Sequence, residues 1–166
     1  MPALPPALRL RSTGPRDAVI ERRYYLNVPP ADAWTALVSD ENAARLYPEL
    51  ALGPAETGWP AAGASRLARV SIGLLREPVL LESLEARPGM SFRFRVIGLD
   101  VRGELGWALE PLAGGTRVVH TAMLLPVDRW AGALARLSRR NPGDRAEHHL
   151  RALKLIVETA PAEPAE

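Results

Sequence analysis

The chain has 166 residues and no cysteine, and its 21 basic side chains nearly balance 19 acidic ones, for a formal net charge of +2. This length suits one domain with a substantial core, and the lack of cysteine excludes disulfides and thiolate chemistry. The balanced charge gives no indication of nucleic-acid binding. No apolar run approaches the roughly 18 residues of a transmembrane helix.

The two ends of the chain differ from its middle. Residues 1–16 are rich in proline and lack the order of charged and apolar residues that a signal peptide needs. We expect them to be a flexible arm, residues 17–160 to be one domain, and residues 161–166 to be a flexible tail. Without an export signal, the predicted compartment is the cytoplasm.

A strand and two short helices are predicted at the start of the domain. Residues 18–28 are rich in β-forming side chains and end at two prolines. Over residues 30–47, apolar residues recur at helical spacing, and Pro30 suits a first helical turn. Ser39 or Asp40 can cap the second helix, and the acidic Asp40 and Glu41 suit its positive N-terminal end.

The middle of the chain predicts an antiparallel sheet. Alternating or β-rich stretches cover residues 65–76, 78–87, 90–97, 101–110 and 116–126. The first two stretches are separated near Glu77 and Pro78, and glycine-containing turns follow residue 87 and residue 113. Consecutive strands with short connections form a meander in which one face contacts solvent.

The last part of the chain predicts helices. Asp128 can cap a helix over residues 129–140, and an Asn-Pro-Gly sequence interrupts the pattern at 141–143. Asp144 and Glu147 have the spacing of a capping box. The long amphipathic pattern that follows extends to Ala160.

This order of elements resembles the helix-grip fold of the START-like (SRPBCC) superfamily, which includes the polyketide cyclase/dehydrase and lipid-transport family. The resemblance covers about residues 18–159 and lies in four segments: NVPPADAWTALVSD, WPAAGASRLARV, EPLAGGTRVVHT and HLRALKLIVE. It implies an α+β fold in which a curved antiparallel sheet of about seven strands wraps around a long C-terminal helix. The two short helices would close one end of this grip.

The resemblance also implies a cavity between the sheet and the C-terminal helix. Such a cavity would bind an apolar or amphipathic small molecule, either lipid-like or polyketide-like. The loops around Tyr47 and Trp59 are candidates for its rim. The predicted ligand-contacting residues are Tyr24, Val70, Ile72, Phe92, Phe94, Leu105, Trp107, His120, His149, Leu150 and Leu153.

The catalytic candidates are His120 and Tyr24, because strand alternation places both side chains on the inner face of the sheet. His120 could act as a general acid or base, or could be a structural histidine bonded to backbone. In an enzyme, His149 could assist them and Arg22 could stabilise an oxyanion. No known catalytic motif is present, and the sequence predicts neither a metal site nor a cofactor.

Three functions remain open at this stage. The first is binding or carriage of a hydrophobic small molecule without catalysis. The second is an enzyme, a polyketide cyclase, aromatase or dehydratase that uses histidine and tyrosine groups in the cavity. The third is a protein-interaction module. We expect no nucleic-acid partner, no stable membrane insertion, and a monomer or homodimer.

Overall fold

The computed structural model describes residues 20–55, 57–136 and 142–159. Seven strands and four helices occur in these ranges. In chain order they are β1 (Ile20–Leu26), α1 (Pro30–Val38), α2 (Asp40–Leu46), β2 (Leu50–Ala55), β3 (Ser65–Ile72), β4 (Leu75–Arg87), β5 (Ser91–Ile97), β6 (Val101–Leu112), β7 (Gly115–Pro126), α3 (Arg129–Arg136) and α4 (Pro142–Thr159). The predicted arm and tail lie outside the described residues.

All seven strands form one antiparallel sheet in the order β1-β7-β6-β5-β4-β3-β2. Burial alternates along its strands, most clearly on β3, where every second side chain from Arg66 onward is buried. Helix α4 packs against β1, β7 and both short helices. This confirms the predicted helix-grip, in which the sheet buries its concave face against the C-terminal helix.

The turn between β3 and β4 differs from the prediction. It lies at Gly73 and Leu74, where Ile72 pairs with Leu75 and Gly73 has a φ of 62°, a conformation that glycine adopts without strain. Glu77 and Pro78 instead continue inside β4. Pro78 is tolerated there because β5 pairs with β4 only from Leu80 onward, so on that side its missing N–H interrupts no ladder.

The sheet contains one strand that the sequence did not predict. Strand β2 has the sequence LALGPA and forms an edge of the sheet beside β3. Its pairing is irregular between Leu52 and Ala55, around Gly53 and Pro54. Glycine and proline weaken the strand pattern in the sequence, yet both are acceptable at a sheet edge.

The helix ends agree with the sequence in two places and differ in a third. Pro30 is the first residue of α1, and the Asp128 carboxylate accepts a hydrogen bond from the Ala131 amide at 2.7 Å before α3. Helix α4, however, begins at Pro142, so Asp144 lies in its first turn and does not precede it as a capping box requires. An acidic side chain is still favourable there, because of the helix dipole. Within the described ranges, no helix is both long and apolar enough to cross a bilayer.

Candidate functional site

A small cavity lies between the two short helices and the inner face of the sheet. Its volume is about 10 Å³, close to the minimum that one water molecule needs. The lining residues are Leu37, Val38, Ser39, Asp40, Ala43, Tyr47, Leu52, Trp59, Arg66, Leu81, Phe92 and Phe94. The interior at this place is therefore nearly filled by side chains.

Aromatic rings from four parts of the chain meet at or beside the cavity. Phe92 of β5 contacts Trp59 edge-on, with ring centroids 5.9 Å apart, and Trp34 of α1 at 6.1 Å. Tyr47, which follows α2, meets Phe94 at 5.6 Å. These edge-to-face contacts are favourable beyond the burial of apolar area. All of these rings except that of Trp34 line the cavity, which therefore has four aromatic side chains in its wall.

Arg66 is a buried charge in this wall. It lies on the inner face of β3, and its side chain is 2% exposed. One terminal nitrogen bonds the Asp40 carboxylate at 2.6 Å and the other bonds the Gly53 carbonyl, while the guanidinium lies 5.4 Å from the Trp59 ring centroid. The Nε–H of Arg66 has no acceptor among the described residues. A buried donor without an acceptor is costly, so this nitrogen is the polar group that the site leaves unsatisfied.

A second polar feature lies beside the cavity and links three parts of the fold. We call it the proton chain: Glu49, His149 and His120. Glu49 Oε1 lies 2.6 Å from His149 Nε2, His149 Nδ1 lies 2.9 Å from His120 Nε2, and His120 Nδ1 lies 2.8 Å from the Gly106 carbonyl oxygen. All three side chains are buried.

The hydrogen bonds determine where the protons lie. The Gly106 carbonyl can only accept, so His120 carries a proton on Nδ1 and its Nε2 accepts from His149. Burial, together with the charge of His149, holds the pKa of His120 well below its ordinary value, so this ring is neutral. Burial alone would raise the pKa of Glu49, but the hydrogen bond and charge of His149 lower it below the usual range.

Tyr47 connects the cavity to the proton chain. Its hydroxyl accepts a hydrogen bond from Trp107 Nε1 at 2.8 Å, and its ring centroid lies 5.3 Å from that of His149. Burial raises the pKa of the Tyr47 hydroxyl well above its ordinary value, which keeps the phenol protonated. Trp107 in turn stacks on His120, with centroids 3.8 Å apart.

The structure brings some predicted site residues together and separates others. Phe92 and Phe94 line the cavity, and the predicted rim residues Tyr47 and Trp59 do so as well. His120 and His149 are in direct contact. Six further predicted ligand contacts are buried members of the core: Val70, Ile72, Leu105, Trp107, Leu150 and Leu153.

The two remaining candidates lie on β1, away from the cavity. Tyr24 is half-buried beneath α4, where the Lys154 ammonium lies 5.9 Å from its ring centroid. Arg22 is exposed and donates to the Glu21 carbonyl oxygen. Both side chains are away from the cavity because β1 is an edge strand of the sheet.

Sequence reasoning missed Arg66, Asp40 and Glu49 as site residues. For Arg66 a sequence indication exists, because it shares the strand parity of Ala68 and Val70 and so belongs to the inner face. No comparable indication exists for Glu49, which lies in the connection before an unpredicted strand. Among the described residues, no group of three or more His, Cys, Asp or Glu side chains has a geometry that could hold a metal ion.

Comparison with known proteins gives one family and a set of similar folds. Residues 17–158 match the model of the family described as polyketide cyclase / dehydrase and lipid transport. TTHA0849 from Thermus thermophilus is 20% identical with a TM-score of 0.65, and the alignment covers 87% of this chain and 100% of that one. No protein with a curated description matches the sequence significantly.

Two further solved structures have the same fold. Ara h 8.0201 is 15% identical with a TM-score of 0.57, covering 86% of this chain and 99% of that one. DynU16, from the dynemicin biosynthetic locus, is 20% identical with a TM-score of 0.58, covering 86% of this chain and 48% of that one. At such identities the likeness shows the fold and does not extend to function.

Proposed function

Because the chain belongs to the polyketide cyclase/dehydrase and lipid-transport family, we propose that it binds an apolar or amphipathic small molecule between the short helices and the sheet. The observation that carries the proposal is a cavity with four aromatic rings in its wall and one unsatisfied buried donor, Arg66 Nε–H. The rings can pack against a planar or apolar part of a ligand, and the guanidinium can donate a hydrogen bond to a ligand oxygen.

Binding requires the cavity to enlarge. Pockets for small molecules usually have volumes of roughly 300–1,000 Å³, far above the 10 Å³ present here. The movable wall is the pair of short helices, since the opposite wall consists of paired strands. Asp40 begins α2 and is 59% exposed although its partner Arg66 is buried, so this ion pair lies where the cavity approaches solvent. A shift of α2 would open the site at that ion pair.

Apolar burial alone gives sufficient affinity for such a ligand. Burying ten methylene groups at about 0.8 kcal/mol each gives roughly 8 kcal/mol before ordering costs. This corresponds to a dissociation constant near micromolar. The site therefore needs few polar residues, which agrees with the lack of catalytic motifs in the sequence.

Carriage without catalysis is favoured over a cyclase or dehydratase. Every ring nitrogen of His120 and His149 already has a partner within the protein. A general acid or base must reach the proton that it transfers, and neither histidine lines the cavity. Tyr24, the other catalytic candidate, contacts α4 instead.

The test is native mass spectrometry of the purified protein, followed by organic extraction. We expect a bound small molecule that is lost when the cavity is filled by Ala43→Leu, because Ala43 lines the cavity and is 6% exposed. Ala44→Leu, on the exposed side of the same helix, is the matched control and should retain the molecule. Equal retention by both variants would contradict the proposed site, and a protein that never carries a molecule would contradict binding itself.

A further inference from the structure

The proton chain holds the wall of the cavity against the rest of the fold. Glu49 lies two residues after Tyr47, which lines the cavity, and its carboxylate is bound by His149 of α4. His149 is bound in turn by His120 of β7, which is anchored to Gly106 of β6. Breaking the proton chain would therefore remove the polar link between α4 and the segment that joins α2 to β2, and the polar link between α4 and the sheet.

When the proton chain is intact, each of its three hydrogen bonds contains one proton. One lies between Gly106 and His120, one between His120 and His149, and one between His149 and Glu49. A further proton on His120 Nε2 would face the N–H of His149, which places two donors and two positive rings in contact. A further proton on Glu49 would leave the His149 charge buried without its counter-charge. The closed geometry thus resists a fourth proton.

The surrounding groups increase this resistance and offer no compensation. The partly buried guanidinium of Arg145, on α4, interacts electrostatically with the Glu49 carboxylate. The Tyr47 hydroxyl is neutral and bonded to Trp107. His148 bonds the Arg45 carbonyl instead of the chain, and on β1 the exposed Arg22 lies directly opposite His120. Among these groups Glu49 is the only anion, so added positive charge on the proton chain is unfavourable.

We propose that the proton chain is an acid-released latch, which holds the segment between α2 and β2, and with it the cavity wall at Tyr47, against α4 near neutral pH and lets the two separate in mild acid. The proposal rests on the proposed function, since it concerns access to that same site. It predicts faster ligand exchange at low pH. The device requires no movement of the sheet.

The direction follows from the number of bound protons. When the chain opens to water, both histidines protonate below about pH 6.5 while Glu49 stays ionised to about pH 4.3. The open form then holds four protons, and the closed form holds three. Above about pH 6.5 the open form holds only two protons, so the opening constant is lowest near that pH. It rises as pH falls below about 6.5, by an amount that approaches tenfold per pH unit.

Amide hydrogen exchange of the ligand-free protein tests the latch. Opening constants of the α4 amides, corrected for intrinsic exchange, should rise several-fold between about pH 6.5 and about pH 5. Glu49→Gln should raise them already at neutral pH and make their rise below about pH 6.5 steeper, because His149 loses its counter-charge and the closed form then holds one proton fewer. His148→Gln, at the neighbouring histidine outside the chain, should behave as the wild type.

Two outcomes would overturn the latch. One is an opening constant of α4 that stays the same across this pH range in the wild type. The other is a Glu49→Gln protein that matches His148→Gln at every pH. If Glu49→Gln does not fold, nitrogen-15 NMR of the wild-type histidines decides, because the latch requires a neutral His120 with its proton on Nδ1 at neutral pH.

The link to the cavity is measured separately from the latch and from ligand identity. The dye 1-anilinonaphthalene-8-sulfonate serves as the probe, and its dissociation rate is followed by stopped-flow fluorescence. We expect dissociation to become several-fold faster over the same pH interval, with Ala43→Leu abolishing the dye signal. A dissociation rate that does not change while α4 opens would contradict control of the cavity but leave ligand binding intact. Unchanged dye binding in Ala43→Leu would contradict the proposed site.

Discussion

Tyr47 is the residue that contacts both the cavity and the proton chain. Its ring lines the cavity and packs on His149, and its hydroxyl satisfies the buried indole N–H of Trp107. From the sequence, its position before Pro48 predicts a place at the cavity rim. The partner Trp107 is 60 residues away, and only the pairing of β5 and β6 brings it opposite Phe92 and into reach.

At this scale, Tyr47→Phe should lower the free energy of unfolding by about 1–3 kcal/mol, because the buried Trp107 N–H loses its acceptor while the ring remains. Urea unfolding at neutral pH measures the change. Tyr25→Phe is the matched control, since that hydroxyl is exposed and makes only a long hydrogen bond, 3.4 Å, to the Ala113 carbonyl. It should change stability by less than about 0.5 kcal/mol. Equal effects of the two substitutions would show that the Tyr47 hydrogen bond does not contribute.

At the scale of elements, one side chain of β4 holds the connection between two other strands, β5 and β6. The carboxylate of Glu77, which is 8% exposed, accepts hydrogen bonds from the amides of Leu99, Asp100 and Val101 at 2.8–3.2 Å. These amides belong to the turn between β5 and β6. The sequence indicates a break near Glu77 because Pro78 follows it, but the side chain holds a neighbouring turn instead.

Glu77→Ala should therefore destabilise the protein by about 3 kcal/mol, since three buried or half-buried amides lose a charged acceptor. Glu82→Ala, on the same strand, removes only a 3.5 Å ion pair with the half-exposed Arg95, and should cost no more than about 0.5 kcal/mol. Thermal or urea unfolding of both variants checks the difference. A Glu77→Ala protein as stable as Glu82→Ala would mean that the turn is held by its backbone alone.

At the scale of the whole molecule, the proton chain makes stability depend on pH. The pKa of His120 is lowered in the folded state by burial and by the charge of His149, and the pKa of Glu49 is lowered mainly by its bond to His149. A group whose pKa is lowered on folding contributes stability above its unfolded pKa and loses it as pH falls. The unfolded values are about 6.5 and 4.3.

The free energy of unfolding should accordingly fall as pH decreases below about 6.5, by up to about 1.4 kcal/mol per pH unit for each proton, and more steeply below about 4.3. Urea unfolding from pH 8 to 4 gives the profile. In His120→Gln the decrease between roughly pH 6.5 and 5 should be smaller, whatever the stability of the variant at neutral pH. A wild-type profile that is level between those values would rule out a neutral buried His120.

The sequence alone determines most of the element order and the inner face of the predicted strands, because backbone geometry sets the period of two along a strand and 3.6 along a helix. The exceptions are the edge strand β2 and the position of the turn between β3 and β4. Pro30 and Asp128 mark helix starts for equally local reasons. The tertiary structure alone decides that His120 meets Gly106, His149 and, through it, Glu49, at sequence separations of 14, 29 and 100 residues. These contacts depend on strand register and on the position of α4 against the sheet, and no local sequence pattern encodes either of them. For the same reason the nearly filled cavity emerges only when all the side chains are packed together.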